Sequence, residues 1–351
     1  MSQPAWKGCC PIPLTASDDR ITLEHGEGGR TAREFIERRI LARFDNPWLR
    51  PLEDAARVCP DSSSIAMTTD SFVVSPLFFP GGDIGSLAVH GTVNDLAVAG
   101  ARPRWLTLSL IIEEGLPVPV LEAILASAAT AAEAAGVAIV SGDTKVVPSG
   151  AADGLFITTT GVGEFVEAPF VGPSSLVPGD ALLVSGPIGR HGIAVLTARE
   201  EMEFDPPPRS DSASLIPVVE ALRRAAVPVR AVRDATRGGV AAVLHEWAAC
   251  CGHGVGIDEI EIPITPEVRG VCEVLGLDAL HVACEGTLVV AVEQGSSRAA
   301  LEAIRTVSEG AGASQIGVIV PGSINPVVVR RALGSDQPLD DPLGTPMPRI
   351  C

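Results

Sequence analysis

The chain has 351 residues, enough for two domains of roughly 150 residues that each bury a core. Its 43 acidic side chains against 26 basic ones leave a net charge of -17, a field that repels phosphate backbones and anionic lipid, so nucleic acid and membrane surfaces are poor partners. Glu122 and Glu133 break the most apolar stretch, 118–140, short of the ~20 apolar residues of a membrane span, and residues 1–20 lack the order of a signal peptide, so a cytoplasmic protein is expected.

Residues 1–20 carry three prolines and no periodicity and read as an extension outside the fold. The first domain, 21–165, then alternates strand-like and helical segments. Ile65–Asp70 and Ser71–Ser75 look like strand around a polar centre, and Trp105–Ile111 alternates as a half-buried strand does. Helices are expected over Ile84–Ala99 and over Val118–Ala135, the latter stopped by Gly136. After the Pro/Gly-rich loop 171–179 a second domain spans 175–325. It opens with the strand Ala181–Ser185, continues through helical stretches near 193–200, 215–226 and 240–249, and returns to strand at Thr287–Val292 and Ile316–Val320. The fold class is therefore α/β with α+β character, two mixed domains in series. Beyond 326 the apolar signal fades, and Pro338, Pro342, Pro346 and Pro348 exclude a helix or central strand, so 326–351 reads as an extended tail ending in Cys351. At ~3.1 Å per residue, Pro338 to Cys351 spans roughly 40 Å.

The eight cysteines include the pairs Cys9-Cys10 and Cys250-Cys251 but no CxxC, which gives neither a disulfide framework nor a zinc site. Cys250 and Cys251 fall in a helical stretch and read as buried small hydrophobes. Acidic residues recur at element ends: Asp70, Asp83, Asn94-Asp95, Asp143 and Asp234. Asp and Asn favour caps and turns on their own account, yet carboxylates gathered by a fold repel one another unless a hard cation joins them, and carboxylates plus phosphates is how Mg²⁺ is held. Lys7 and Lys145 are the only lysines; Lys145, in SGDTK, can change protonation state where arginine cannot. There is no GxxxxGK[ST] loop, so phosphate contact falls to His25–Arg30 (HGEGGR) and Thr236–Gly239 (TRGG), whose glycines let amides approach anionic oxygens. Glu285 stands before the strand from Thr287, at the mouth of a sheet.

Together HGEGG, TDSFVVSPLFFPGGDIG, GTVNDLAVAGARPRWL, GDTKVV, RDATRGGV, CEGTL and the final PRIC resemble the HypE family of hydrogenase maturation factors. That family lies in the superfamily of aminoimidazole ribonucleotide synthetase, selenophosphate synthetase and thiamine monophosphate kinase. The resemblance runs from Leu23 to Cys351, and PRIC is what separates this family from its cousins. It implies a homodimer whose N-terminal domains build a shared β-barrel holding ATP and Mg²⁺. Asp70, Asp95 and Asp143 would match metal-binding acids; Gly28, Gly29, Asp83, Asn94, Asp95, Asp143, Thr144 and Asp234 would lie about the nucleotide; Lys145 and Glu285 would handle protons near Cys351. Cys284 stands where the family pattern leads one to expect asparagine.

The implied reaction is carbamoylation of the Cys351 thiol by HypF, then ATP-dependent dehydration to a thiocyanate that supplies cyanide to an acceptor resembling the HypC–HypD assembly. Oxide is a hopeless leaving group near neutral pH, which gives ATP its task. The competing expectations are a selenophosphate-synthetase-like phosphotransferase, against which Lys7 precedes Cys9-Cys10 rather than following them, and a scaffold whose tail only docks.

Overall fold

The computed structural model describes residues 20–22, 35–46, 65–165, 170–322 and 324–341. In the first domain β1 (Ile65–Phe72), β2 (Phe78–Phe79) and β3 (Gly82–Asp83) lead into α1 (Ile84–Val98), followed by β4 (Arg102–Glu113), α2 (Val118–Ala135), β5 (Ala138–Val147) and β6 (Leu155–Glu164). The main sheet runs β1-β6-β4-β5, with β4 and β5 parallel and α2 as the crossover between them. Alternation along β4 sends Leu106, Leu108, Leu110 and Ile112 into a core with Leu87 and Val93 of α1 and Leu121, Ile124 and Leu125 of α2. The helices cover one face of the sheet and leave the other open, where Met67 is 66% and Ile111 40% exposed.

The expected barrel is therefore not closed within one chain: four strands leave β1 and β5 as sheet edges among the described residues. The helix α2 is, among the described residues, long and apolar enough to cross a membrane by composition, contrary to the sequence expectation for 118–140. Its apolar face is instead spent on the domain core, with Leu121, Ile124, Leu125 and Ala128 almost wholly buried.

The second domain contains β7 (Ala181–Val184), α3 (Arg190–Arg199), α4 (Ile216–Arg224), β8 (Val229–Asp234), α5 (Gly239–Cys251), β9 (Gly254–Asp258), α6 (Pro266–Leu275), β10 (Leu288–Val292), α7 (Ser297–Ile304), β11 (Ser314–Val320), β12 (Val327–Arg330) and β13 (Asp336–Pro338). They form a seven-stranded sheet in the order β13-β12-β9-β11-β7-β10-β8. Every residue of β7 and β10 is buried, because α5 packs on one face of these strands and α4 and α7 on the other; their sequences accordingly read as apolar runs without alternation. Within the helix α5, Cys250 is exposed rather than buried.

The segment expected as tail from 326 is folded into the second domain as far as Leu339. Val327 and Val329 are fully buried in β12, β13 pairs antiparallel to it at the sheet edge, and Leu339 is sealed against Val327 by a backbone bond of 3.0 Å. A four-residue strand is too short to announce itself by periodicity, and Pro338 is tolerated because β13 is an edge. The last described residue is Asp341, so Cys351 lies outside the described residues, as do Gly28 and Gly29.

Candidate active site at the domain junction

Four carboxylates, on β1, α1, the end of β8 and the turn before β10, lie near enough at the domain junction for their charges to act on one another. Asp70 sits on β1, on the side facing α1, and Asp95 on α1 accepts 2.7 Å from the Thr68 hydroxyl of the same strand. Asp234 ends β8, and the β8–β10 register pairs it with Leu288; the Cys284 N–H bonds the Ala235 carbonyl at 2.9 Å. Those two ties place the Glu285 turn beside Asp234. Asp234 is 6% and Glu285 4% exposed.

Their protonation reports the crowding. Burial, then the charge of Asp95, pushes the Asp234 carboxyl up to about 7. Burial foremost, then Asp234, Asp211, Asp70 and Asp95, holds Glu285 well above the carboxylate range. Asp70 is raised by burial and by Asp95, with Arg237 opposing. The basic partners are Arg237 and Arg233, whose Nε stands 3.9 Å from Asp234 and which is half exposed. Among the described residues no three acids stand close enough together to hold a metal ion by themselves; what the junction offers is oxygen donors of the type a hard cation takes, one charge acting on another across the domains.

Beside Asp234 the turn Thr236–Gly239 opens α5. Gly238 and Gly239 adopt φ of 79° and 61°, and a Cβ on Gly239 would stand 2.5 Å from the Leu280 carbonyl, so only glycine fits both the backbone and the space. The turn thereby sets the first amides of a thirteen-residue helix at the edge of the acid cluster, where they can meet phosphate.

Other expected site residues lie elsewhere. Asp83 is the N-cap of α1, accepting from Gly85 N at 2.7 Å and Ser86 N at 3.2 Å, with Ser127 also on its carboxylate. Asn94 is fully buried and bridges the domains, donating to Ala213 O at 3.0 Å and accepting from Leu215 N at 2.7 Å. Both are spent on structure, a use their sequence context allows equally well.

Asp143 does not join Asp70 and Asp95 within the chain. Pairing aligns Asp143 with Ser109, Thr158 and Ser71 on the open face of the sheet, one residue out of phase with Asp70. The strands β1 and β5 are also opposite edges, three spacings or about 14 Å apart. Lys145 shares that open face and pairs with Asp143 at 3.8 Å, the two being 65% and 62% exposed. Thr144, between them, points to the helix side with Leu110.

Cys284 is completely buried, its sulfur accepting from Gly189 N at 3.1 Å, and burial raises its pKa well above the thiol norm. It is an inert packing group, and the turn it belongs to is held by Asp211 instead. Asp211 escaped sequence reasoning because the Ser/Asp run Ser210–Ser214 reads as a polar connection. Equally unsignalled are His245 of α5 and His281, whose Nε2 atoms bond the carbonyls of Leu339 and Asp340 at 3.1 and 3.0 Å. These two bonds fix Leu339 beside α5 and Asp340 beside the turn at His281. A groove of about 440 Å³ beside β9, β11 and β12, lined by Asp258, Glu261, Arg330 and Asp336 among others, contains none of the expected site residues.

The sequence matches the family models described as AIR synthase related protein, N-terminal domain over residues 52–165 and C-terminal domain over 177–329. It is 47% identical to the carbamoyl dehydratase HypE of Cupriavidus necator, covering 97% of both chains. It is likewise 47% identical to the carbamoyl dehydratase HypE of Escherichia coli, covering 95% of this chain and all of that one. A crystal structure of the hydrogenase maturation protein HypE in complex with ATP superposes with a TM-score of 0.90 at 43% identity, over 94% of this chain and 99% of that one. The crystal structure of a HypE–HypF complex superposes with a TM-score of 0.77 at 45% identity, over 88% and 99%. A thiamine-monophosphate kinase from Stenotrophomonas maltophilia, 23% identical with a TM-score of 0.64, shares the fold. Two matched domains with their acids gathered at the junction, and near-full-length identity approaching one residue in two, place this chain in the HypE family of carbamoyl dehydratases.

Proposed function

We propose that the protein uses ATP to dehydrate a carbamoyl group carried on the thiol of its own Cys351, giving the thiocyanate that supplies cyanide to the iron of NiFe hydrogenases. The observation that carries this reading is the anchoring of Leu339 and Asp340 by His245 of α5 and by His281, in the same turn region that carries Glu285. Eleven further residues reach Cys351, up to about 34 Å if extended, while His281 lies only four residues from Glu285 in sequence.

Asp70, Asp95 and Asp234 would hold Mg²⁺, which neutralises polyphosphate charge when bound. Amides at the start of α5, with Arg237 behind them, orient the phosphates. The carbamoyl oxygen attacks the γ-phosphorus and ADP leaves; the C–O bond then breaks, the oxygen departs in inorganic phosphate, and both N–H protons must be accepted as C≡N forms. Glu285 is the acceptor on this chain for one of them, and the departing phosphate takes the other: the burial of Glu285 excludes water, and arrival of positive charge among its neighbours favours its ionised form. Positioning and charge stabilisation supply most of the acceleration.

A second copy of the chain is the partner that fits the open sheet face with its two edges, making the eight-stranded barrel. In that homodimer Asp143 and Lys145 serve the partner's site. HypF is the carbamoyl donor, and a HypC–HypD assembly the cyanide acceptor. A reaction that consumes ATP belongs in the cytoplasm.

Intact-protein mass spectrometry tests the reading. A carbamoyl adduct should form with donor and HypF, become a cyano adduct only with Mg-ATP, and vanish in Cys351→Ala. An adduct that persists without Cys351, or conversion without ATP, overturns it.

A further inference from the structure

The segment Ser210–Leu215 lies between the domains and is bonded to both. Toward the first, His90 Nδ1 meets the Ser212 hydroxyl at 3.0 Å, Asn94 donates to Ala213 O at 3.0 Å, and Leu215 N donates back to Asn94 at 2.7 Å. Toward the second, the Asp211 carboxylate takes three donors from consecutive residues: Glu285 N at 3.2 Å, Gly286 N at 3.1 Å and the Thr287 hydroxyl at 3.0 Å. Ala213 N closes the circuit on Glu285 O at 3.4 Å. The approach is so close that a Cβ on Gly286 would stand 1.7 Å from the Asp211 carbonyl oxygen.

Glu285 is thus held at both its N–H and its carbonyl by a segment that is itself clamped to α1, one residue from Asp95. We infer that Asp211 is a positioning residue for the dehydration, fixing the Glu285 carboxyl at a set distance from the Asp95 end of the site. A carboxylate receiving three donors is hard to replace: its loss leaves two half-buried amides without partners and lets the turn relax. Since a displacement of an ångström at an acceptor costs about 100-fold in rate, the turn's rigidity is a catalytic matter. The inference rests on the reading of Glu285 as the proton acceptor.

The test compares the full-length parent, Asp211→Asn, Asp211→Ala, Glu285→Gln and the Asp211→Ala/Glu285→Gln double variant, each first carbamoylated on Cys351 and then mixed with Mg-ATP. Conversion to the cyano adduct in a single turnover, extent of loading, and equilibrium affinity for ATP are read separately. Both Asp211 variants should convert about 10–100-fold more slowly, as loss of an outer-shell partner does elsewhere, while loading and ATP affinity stay within about 3-fold. The double variant should be no slower than Glu285→Gln alone, because both changes disable one acceptor. Parental conversion by both Asp211 variants beside a slow Glu285→Gln overturns the inference, as does a double variant slowed by the product of the single effects. Parental conversion by Glu285→Gln overturns the role of Glu285 itself, and the inference with it. Should Asp211→Ala fail to fold, the isosteric Asp211→Asn decides the matter on the same readouts.

Discussion

The acids at the domain junction and the Asp143–Lys145 pair on the open sheet face are built from similar residues and are placed in opposite circumstances. At the junction, Asp70, Asp95, Asp234 and Glu285 are drawn toward one another by two domains, and burial together with the neighbouring carboxylates raises the proton affinity of Asp70, Asp234 and Glu285. On the sheet, Asp143 and Lys145 are mostly solvated at 3.8 Å, an ion pair of the kind that contributes little by itself. The first arrangement stores unfavourable electrostatics, and its acids all come from one chain. The second has no evident use in one chain and acquires one when another edge is laid against β5.

The largest effect expected is at the junction. Asp95→Asn should lower ATP turnover by at least about 100-fold while leaving carbamoyl loading of Cys351 intact, since thiol and acids are on separate elements. Parallel turnover and loading assays check this, and loss of loading in the folded variant would break the separation. Next comes the sheet face. Asp95→Asn and Asp143→Asn, each inactive alone, should regain about a quarter of parental turnover when co-refolded in equal amounts, because half the dimers are mixed and each has one intact site. No regain would mean that Asp143 acts within its own chain or not at all.

The smallest effect distinguishes stored charge from simple packing. Asp234 titrates near 7 when folded, against 3.8 ordinarily, so the folded protein keeps a proton that the unfolded chain releases across that interval. Its contribution to stability is full below about pH 4 and is lost as the pH rises through about 7. Metal-free Asp234→Asn should therefore gain on the parent by about 2–8 °C in melting temperature between pH 4.5 and 8. A constant difference over that range would show that the cluster does not strain the fold.

Much of this was legible in the chain. Gly136 stops α2 where its φ of 68° requires a glycine, and the apolar runs at 181–184 and 288–292 are the central strands. Asp70, Asp95 and Asp234 were marked by their small or polar neighbours, and Glu285 by its place before a strand. Asp83 carried the same mark and proved to be a cap, because a turn acid at a helix start has the same sequence context whether it binds a ligand or its own backbone. Asp211 and the two histidines carried no mark, since their partners are 74 or more and 59 or more residues away respectively.

The sequence by itself determined the longer helices and the central strands, the two-domain order and the family, because these depend on local pattern and on motifs only a few residues long. Tertiary structure alone decided which acids meet. Side chains alternate across a strand, so the register of β4 and β5 sends Asp143 to the far face from Asp70. The pairing of Asp234 with Leu288 across β8 and β10 is what carries Glu285 to the junction. Those outcomes rest on contacts between residues far apart in the chain, and no local spacing encodes them.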